Sequence, residues 1–218
     1  IRYSRQIVRF LQTKNVKAIV VACNTASAFA LDAIESELDI PVIGVVKPGA
    51  KSAIENTKNK RIGIIGTEGT IKSELYTEYI HGKDPEITVI GKACPLFCPL
   101  VEEGMLHDSV TEEIARRYLD ELQEQNIDSL ILGCTHYPLL RSTIGKVMGE
   151  NVNLVNPAYE TAISLGRLLE EKRLSADSGA KPVYEFYVSD AADKFKSFAN
   201  SIMPFEIDET NRINIEEF

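Results

Sequence analysis

Two cysteines occupy matching points in two similar stretches, Val20-Val21-Ala22-Cys23-Asn24-Thr25-Ala26 and Leu130-Ile131-Leu132-Gly133-Cys134-Thr135-His136-Tyr137-Pro138. In each, an apolar run ends in a small residue and a thiol, and side chains that hydrogen-bond well follow: Asn24 and Thr25 in one, Thr135 and His136 in the other. A thiol at a strand-to-helix turn meets free backbone N–H groups and the positive end of a helix, which favour an anion and raise the thiolate fraction. A lone cysteine in such a place is commonly a small buried hydrophobe. A matched pair asks for more. Two opposed thiols beside a carboxylate-binding turn fit one reaction class: one thiolate removes a proton from a carbon acid while the other thiol delivers one to the opposite face, inverting the centre without a cofactor. A single nucleophilic cysteine with a basic histidine is the competing plan, and the duplication argues against it. His136 either tunes Cys134 or caps the helix that follows.

The likeness extends backward without a gap, from Leu11 over Leu122 through Asn15 over Asn126 to Cys23 over Cys134. Each copy is followed by a helix, a strand and a proline, Pro48 or Pro157. This reads as two related βα units, one in each half. Ligands of parallel α/β sheets bind outside the carboxyl ends of the strands, so the two thiols are expected to face each other across a cleft.

The elements that must position them follow from hydrophobic periodicity. Strands are expected at 18–22, 42–46, 61–65, 87–90, 129–133, 152–155 and 183–188, and helices at 26–38, 49–57, 70–81, 109–125, 139–148, 159–173 and 190–201. Such alternation predicts an α/β fold with parallel sheets and helices on both faces. Consecutive apolar residues, as in Ala18-Ile19-Val20-Val21, predict burial on both sides. Pro48-Gly49 is read as the end of a strand and 56–59 as a polar turn. Two pseudo-symmetric α/β domains are expected: 1–47 with 157–218, carrying Cys23, and 48–156, carrying Cys134, with the active site in the cleft between them. Tyr3, Ile7, Phe10 and Leu11 mark a helical apolar stripe already under way at the start, and a preceding segment is expected.

Among 218 residues, 24 basic against 32 acidic side chains give a net charge of −8, and no basic cluster exceeds two residues, so no nucleic-acid partner is expected. No apolar run approaches the roughly 20 residues that span a bilayer, and no signal-peptide pattern is present; no membrane association and a cytoplasmic location are expected. The four cysteines are then expected to be reduced. Cys94 and Cys98 have a spacing sometimes used for metals, with His107 the only nearby supplement, and no metal site is expected. Gly63-Ile64-Ile65-Gly66-Thr67-Glu68-Gly69 lacks the glycine spacing of a dinucleotide loop, and Glu68 and Gly69 are read as shaping a carboxylate-binding turn. A homodimer is one assembly the sequence permits.

The two cysteine motifs, with the loop Gly66-Thr67-Glu68-Gly69-Thr70 and the segments Pro95-Leu96-Phe97 and Pro99-Leu100-Val101-Glu102, resemble the glutamate racemase family of the aspartate/glutamate racemase superfamily. The resemblance runs from Ile1 to about Asp190 and rests on two motifs at the right separation. It implies cofactor-independent interconversion of L- and D-glutamate, supplying D-glutamate for peptidoglycan. By that resemblance Cys23 acts on D-glutamate and Cys134 on L-glutamate. Asn24, Thr25, Thr135 and His136 hold the substrate's amino and carboxylate groups, Thr67 and Thr70 add contacts, and Glu102 is a polar partner on the Cys134–His136 side. The alternatives are a sister racemase for aspartate or another small carbon acid and, in a different class, an inactive ligand-binding or interaction module.

The family also carries Asp-Ser-Gly-x-Gly-Gly after its first strand and a Pro-Tyr-Gly loop, and neither precedes Cys23 here. Asp177-Ser178-Gly179 is read as a surface loop rather than a substitute. If no segment carrying them precedes Ile1, Cys23 lacks an acidic partner and one wall of its pocket, and little or no racemisation is expected.

Overall fold

Strands and helices alternate along the chain in the computed structural model, which describes residues 1–177 and 179–218. The first half runs α1 (Arg2–Gln12), β1 (Ile19–Val21), α2 (Asn24–Ser36), β2 (Val42–Gly44), α3 (Val46–Asn56), β3 (Arg61–Gly66), α4 (Glu68–Lys72), α5 (Leu75–Lys83) and β4 (Thr88–Ala93). The second half runs α6 (Phe97–Glu102), α7 (Ser109–Glu124), β5 (Ser129–Gly133), a 3-10 turn (Tyr137–Leu140), α8 (Arg141–Met148), β6 (Asn153–Val155), α9 (Pro157–Glu171), β7 (Tyr187–Val188), α10 (Ala192–Ile202) and β8 (Asn211–Arg212).

Every strand pair among the described residues is parallel. The main sheet has the order β4-β3-β5-β6, and β1 pairs with β2 in a smaller one. Ser129–Gly133 is buried at all five positions because it lies between β3 and β6 with helices on both faces. Leu130 and Leu132 point to the α6, α7 and α8 side, whereas Ile131 joins Ile62 and Ile64 against α3 and α5, as the two-residue period of a strand requires. A separate small core of Val8, Ile19, Ala30 and Ile34 holds α1 and α2 to β1.

The sequence repeat has a backbone counterpart. Asn15 (φ 52°) and Asn126 (φ 51°) are both left-handed, and the backbone N–H of each donates to a glutamine carbonyl three residues earlier, Gln12 and Gln123. Asparagine tolerates this conformation, so both helices turn into the cysteine-bearing strands in the same way.

Several expectations need correction. Pro48 and Gly49 do not end a strand; β2 stops at Gly44, and both residues lie in the first turn of α3, where a missing N–H costs no helix bond. The helix expected at 70–81 is broken by Glu74, whose φ of 54° separates α4 from α5. Helix α6 was not anticipated, since Pro95 and Pro99 mask its pattern. Val20 is 39% exposed, because α1 and α2 cover the Ile19 face of β1 and the opposite face is left open at Val20. In α1 the buried side chains are Gln6, Val8 and Phe10, while Tyr3 and Ile7 are exposed. Of the strand expected at 183–188 only Tyr187–Val188 pairs, with β8, and Val183 is 85% exposed. Ser178 lies outside the described residues; Asp177 and Gly179 beside it are exposed and in no helix or strand.

Candidate active site

Strand β1 delivers Cys23 to the first turn of α2, where it is the N-cap. Its Sγ accepts from the backbone N–H of Ala26 at 3.4 Å, which directs the positive end of a 13-residue helix at the sulfur. Asn24, next along, is buried, and its Oδ1 accepts a 2.6 Å hydrogen bond from the Tyr76 hydroxyl. Burial pushes the Tyr76 phenol far up, so it stays a donor. With its oxygen engaged, the Asn24 amide keeps its NH2 for other acceptors.

Thr25 closes a triangle of hydroxyls. Its Oγ1 lies 2.9 Å from Thr67 Oγ1 and 3.1 Å from Thr70 Oγ1, and these two are 3.2 Å apart. Thr67 caps α4, and a Cβ on Gly69 would sit 3.1 Å from Thr25 Cγ2, so the glycine lets α4 come this close to α2. Hydroxyls that satisfy one another can rotate toward a carboxylate when one arrives. Glu68, by contrast, turns outward to Lys72 at 2.9 Å.

Strand β5 ends at Gly133, whose absent Cβ would lie 2.7 Å from the Ile65 carbonyl oxygen. Cys134 follows directly and is buried, unlike the exposed Cys23. Its Sγ is 3.6 Å from Cys98 Sγ and 3.7 Å from His136 Nδ1. His136 Nε2 lies 3.2 Å from Glu102 Oε1, and Lys194 Nζ stands 3.9 Å from the other Glu102 oxygen. Thr135 Oγ1 is 3.3 Å from His136 Nδ1. The imidazole makes no capping bond to the turn that follows, which removes helix capping as its role.

This surrounding ionises Cys134. A hydrogen bond from the Cys98 thiol, with His136 beside it, outweighs burial and pulls Cys134 down to about 5. Cys98 is pushed up in return, because it keeps the shared proton and is partly buried. His136 is raised, first by Cys134 and then by Glu102, against the effect of burial. Cys23 adds a smaller upward push on Cys98, so these two thiols lie within electrostatic reach of each other.

Cys98 was weighed in the sequence only against Cys94. Cys94 in fact turns into the core, its Sγ 3.7 Å from the Lys92 carbonyl and its thiol pushed up to about 12 by burial. The usable signal was Cys98 and Glu102, four apart and so on one helix face, but it required α6 to be recognised. A cavity of about 640 Å3 opens beside His136 and Glu102, walled by Ile7, Phe10 and Leu11; neither Cys23 nor Cys134 lines it.

Residues 3–162 match the family described as Asp/Glu/Hydantoin racemase. A glutamate racemase of Geobacter metallireducens is 43% identical over 215 residues, covering 99% of this chain and 80% of that one. Among solved structures, a glutamate racemase isoform from Bacillus anthracis superposes with a TM-score of 0.93 at 39% identity, covering 97% of this chain and 79% of its own. The Francisella tularensis glutamate racemase in complex with D-glutamate gives 0.91 at 34% identity, covering 100% and 81%. Among the described residues no helix is long and apolar enough to cross a membrane.

Proposed function

The chain belongs to the Asp/Glu/hydantoin racemase family and, within it, to the glutamate racemases, and from that premise we propose that Cys23 and Cys134 interconvert L- and D-glutamate as a two-base pair. The chain is an isomerase, and its product D-glutamate is a building block of peptidoglycan. The observation that supports the two-base reading is the setting of the thiols that follow β1 and β5: Cys23 is exposed and caps α2, and Cys134 is buried with its Sγ 3.6 Å from Cys98 Sγ and 3.7 Å from His136 Nδ1.

From L-glutamate the Cys134 thiolate takes the α-proton, and the Cys23 thiol gives its proton to the opposite face. The product is D-glutamate, with Cys134 left protonated and Cys23 as thiolate; the return reaction reverses both transfers. Asn24 and the hydroxyls of Thr25, Thr67, Thr70 and Thr135 donate to the substrate's carboxylates and orient its amino group. The N-terminus of α2 stabilises negative charge beside Cys23. His136, braced by Glu102, keeps Cys134 ionised and stays within reach of the substrate. No cofactor is needed for the proton inventory, since one thiolate accepts the α-proton and the other thiol supplies its replacement.

The reading includes two lobes, 1–47 with 157–218 and 48–156, each supplying one thiol. It is supported by the location of β1 and β2 in the first span and of β3 to β6 in the second. Two thiols that must stay reduced support a cytoplasmic location. Incubation with L-glutamate in heavy water, followed by NMR of the α-proton, tests the scheme. Exchange with inversion is expected, lost in both Cys23→Ser and Cys134→Ser because a serine hydroxyl is too weak an acid for either role. Exchange unaffected by either substitution would remove the two-base scheme, and faster turnover of aspartate would reassign the substrate.

A further inference from the structure

Cys98 has no part in the proton transfers, yet its sulfur points at Cys134. We propose that Cys98, Cys134 and His136 form a soft-metal site of the Cys2His class, suited to Zn(II), with a fourth position left to water or another small ligand, and that its occupation takes Cys134 out of use. Metal binding goes beyond the racemase reading, and only its inhibitory consequence rests on it.

The distances carry the proposal. Tetrahedral zinc, with Zn–S of about 2.3 Å and Zn–N of about 2.0–2.1 Å, sets two sulfurs about 3.8 Å apart and a sulfur and a nitrogen about 3.6 Å apart. Here Cys98 Sγ to Cys134 Sγ is 3.6 Å and Cys134 Sγ to His136 Nδ1 is 3.7 Å. All three donor atoms lie within 4.8 Å of one another, so only the Cys98–His136 edge has to tighten. Two edges of the tetrahedron are thus already built.

The outer sphere matches as well. Metal-bound histidines usually donate their second N–H to a carboxylate, which fixes the tautomer and raises ligand basicity. His136 presents Nδ1 to the sulfurs and Nε2 to Glu102 at 3.2 Å. Thr135 Oγ1, 3.3 Å from the same Nδ1, gives up that contact on binding. Cys134 is buried and Cys98 and His136 are partly buried, so the donors are shielded from solvent without being sealed from it. The reaction balances as a ligand exchange: the ion sheds water, and Cys98, together with His136 when protonated, releases its proton to solvent. Two thiolates then neutralise the dication.

The full chain, reduced with a phosphine and stripped with a chelator, is titrated with Co(II) alone. A 1:1 complex is expected, with thiolate-to-cobalt charge-transfer absorption from two sulfurs and intense tetrahedral d–d bands, displaced by one equivalent of Zn(II). Cys98→Ala is expected to halve the charge-transfer intensity and to weaken zinc by more than about 100-fold, and Glu102→Gln by about 10–100-fold. Cys94→Ala should change neither. A weak six-coordinate spectrum, or an unchanged spectrum in Cys98→Ala, would overturn the site. In a second arm Zn(II) should stop glutamate α-proton exchange over the range in which it displaces cobalt, reversibly with chelator; inhibition that persists unchanged in Cys98→Ala overturns the link to Cys134. Loss of exchange in the metal-free protein would count against the racemase reading while the absorption arm still decides the metal site.

Discussion

Cys23 and Cys134 hold the same place in the repeat and differ in surroundings, and the difference is chemical. Cys134 lies beside a thiol donor and an imidazole, so its pKa falls from the ordinary thiol range to about 5. The sign is that of a depressed acid: the thiolate dominates at neutral pH and is lost as pH falls through about 5. Peptide-resolved alkylation by iodoacetamide should therefore show Cys134 reacting at a plateau rate at pH 7 and titrating near pH 5. His136→Gln, which removes one of the two groups that lower it, should move that midpoint upward, and an unmoved midpoint would show that His136 does not stabilise the thiolate. The residues flanking both cysteines were legible in the sequence because strand, thiol and hydrogen-bonding side chains are contiguous there. Glu102 was legible only through the family resemblance, and Cys98 was not legible as a partner of Cys134, since that contact exists only once α6 stands against β5. The threonine triangle was legible as three candidates, though not as a triangle, because Thr25 and Thr67 meet only when α4 packs on α2.

Elements fix those positions, and one backbone-to-backbone constraint lies where β3 meets β5. Gly66 and Gly133 are paired across the strands, and a Cβ on Gly133 would meet the Ile65 carbonyl at 2.7 Å. Backbone cannot swing aside as a side chain can. Gly133→Ala should cost about 1–3 kcal/mol in urea unfolding, the usual scale of overpacking, and disturb Cys134 directly. Gly66→Ala should cost less, as its nearest neighbours at 3.1 Å are side-chain atoms of Thr70. At the other end of β5, Asp128 accepts from Thr57 Oγ1 at 2.6 Å and from the backbone N–H groups of Lys58 and Asn59 at 2.6 and 2.8 Å. Burial works to raise its pKa, and these bonds together lower it. Its stabilisation is thus full above the unfolded carboxylate value of about 3.9 and disappears as pH falls through the lower folded value. Asp128→Ala should remove about 1–3 kcal/mol at pH 7, a loss that should shrink as pH falls below the unfolded carboxylate value, and a loss that stays constant down the acid range would refute the assignment. Sequence periodicity located β5 and α7 almost to the residue because each has one unbroken pattern. It failed at Glu74 and Pro48, where a left-handed residue and a proline in a first turn follow from packing that no local pattern encodes.

At the scale of the whole molecule, the two thiols follow strands of different sheets, and α3 packs on α9 where Gly49 lets Pro157 approach; a Cβ at Gly49 would lie 3.0 Å from the proline ring. A substrate held by Thr25 and Thr67 touches α2 and the α4 cap at once, so binding should stabilise the fold as a unit. Free ligand at a hundred times its Kd adds about 2.7 kcal/mol, and a chain of this size gains about 2–4 °C per kcal/mol, so D-glutamate should raise Tm by about 5–10 °C in calorimetry. Thr67→Val, which keeps side-chain volume but removes one hydroxyl of the triangle, should lower that shift. The two enantiomers also differ in a way only a working racemase erases. In the unmodified chain, samples started from L- or D-glutamate approach the same mixture, so their shifts should converge on preincubation. In Cys134→Ser the substrate no longer interconverts, and any initial difference between the shifts should persist. Convergence in that variant would mean that inversion proceeds without Cys134, and the pairing of one thiol from each sheet would have to be abandoned.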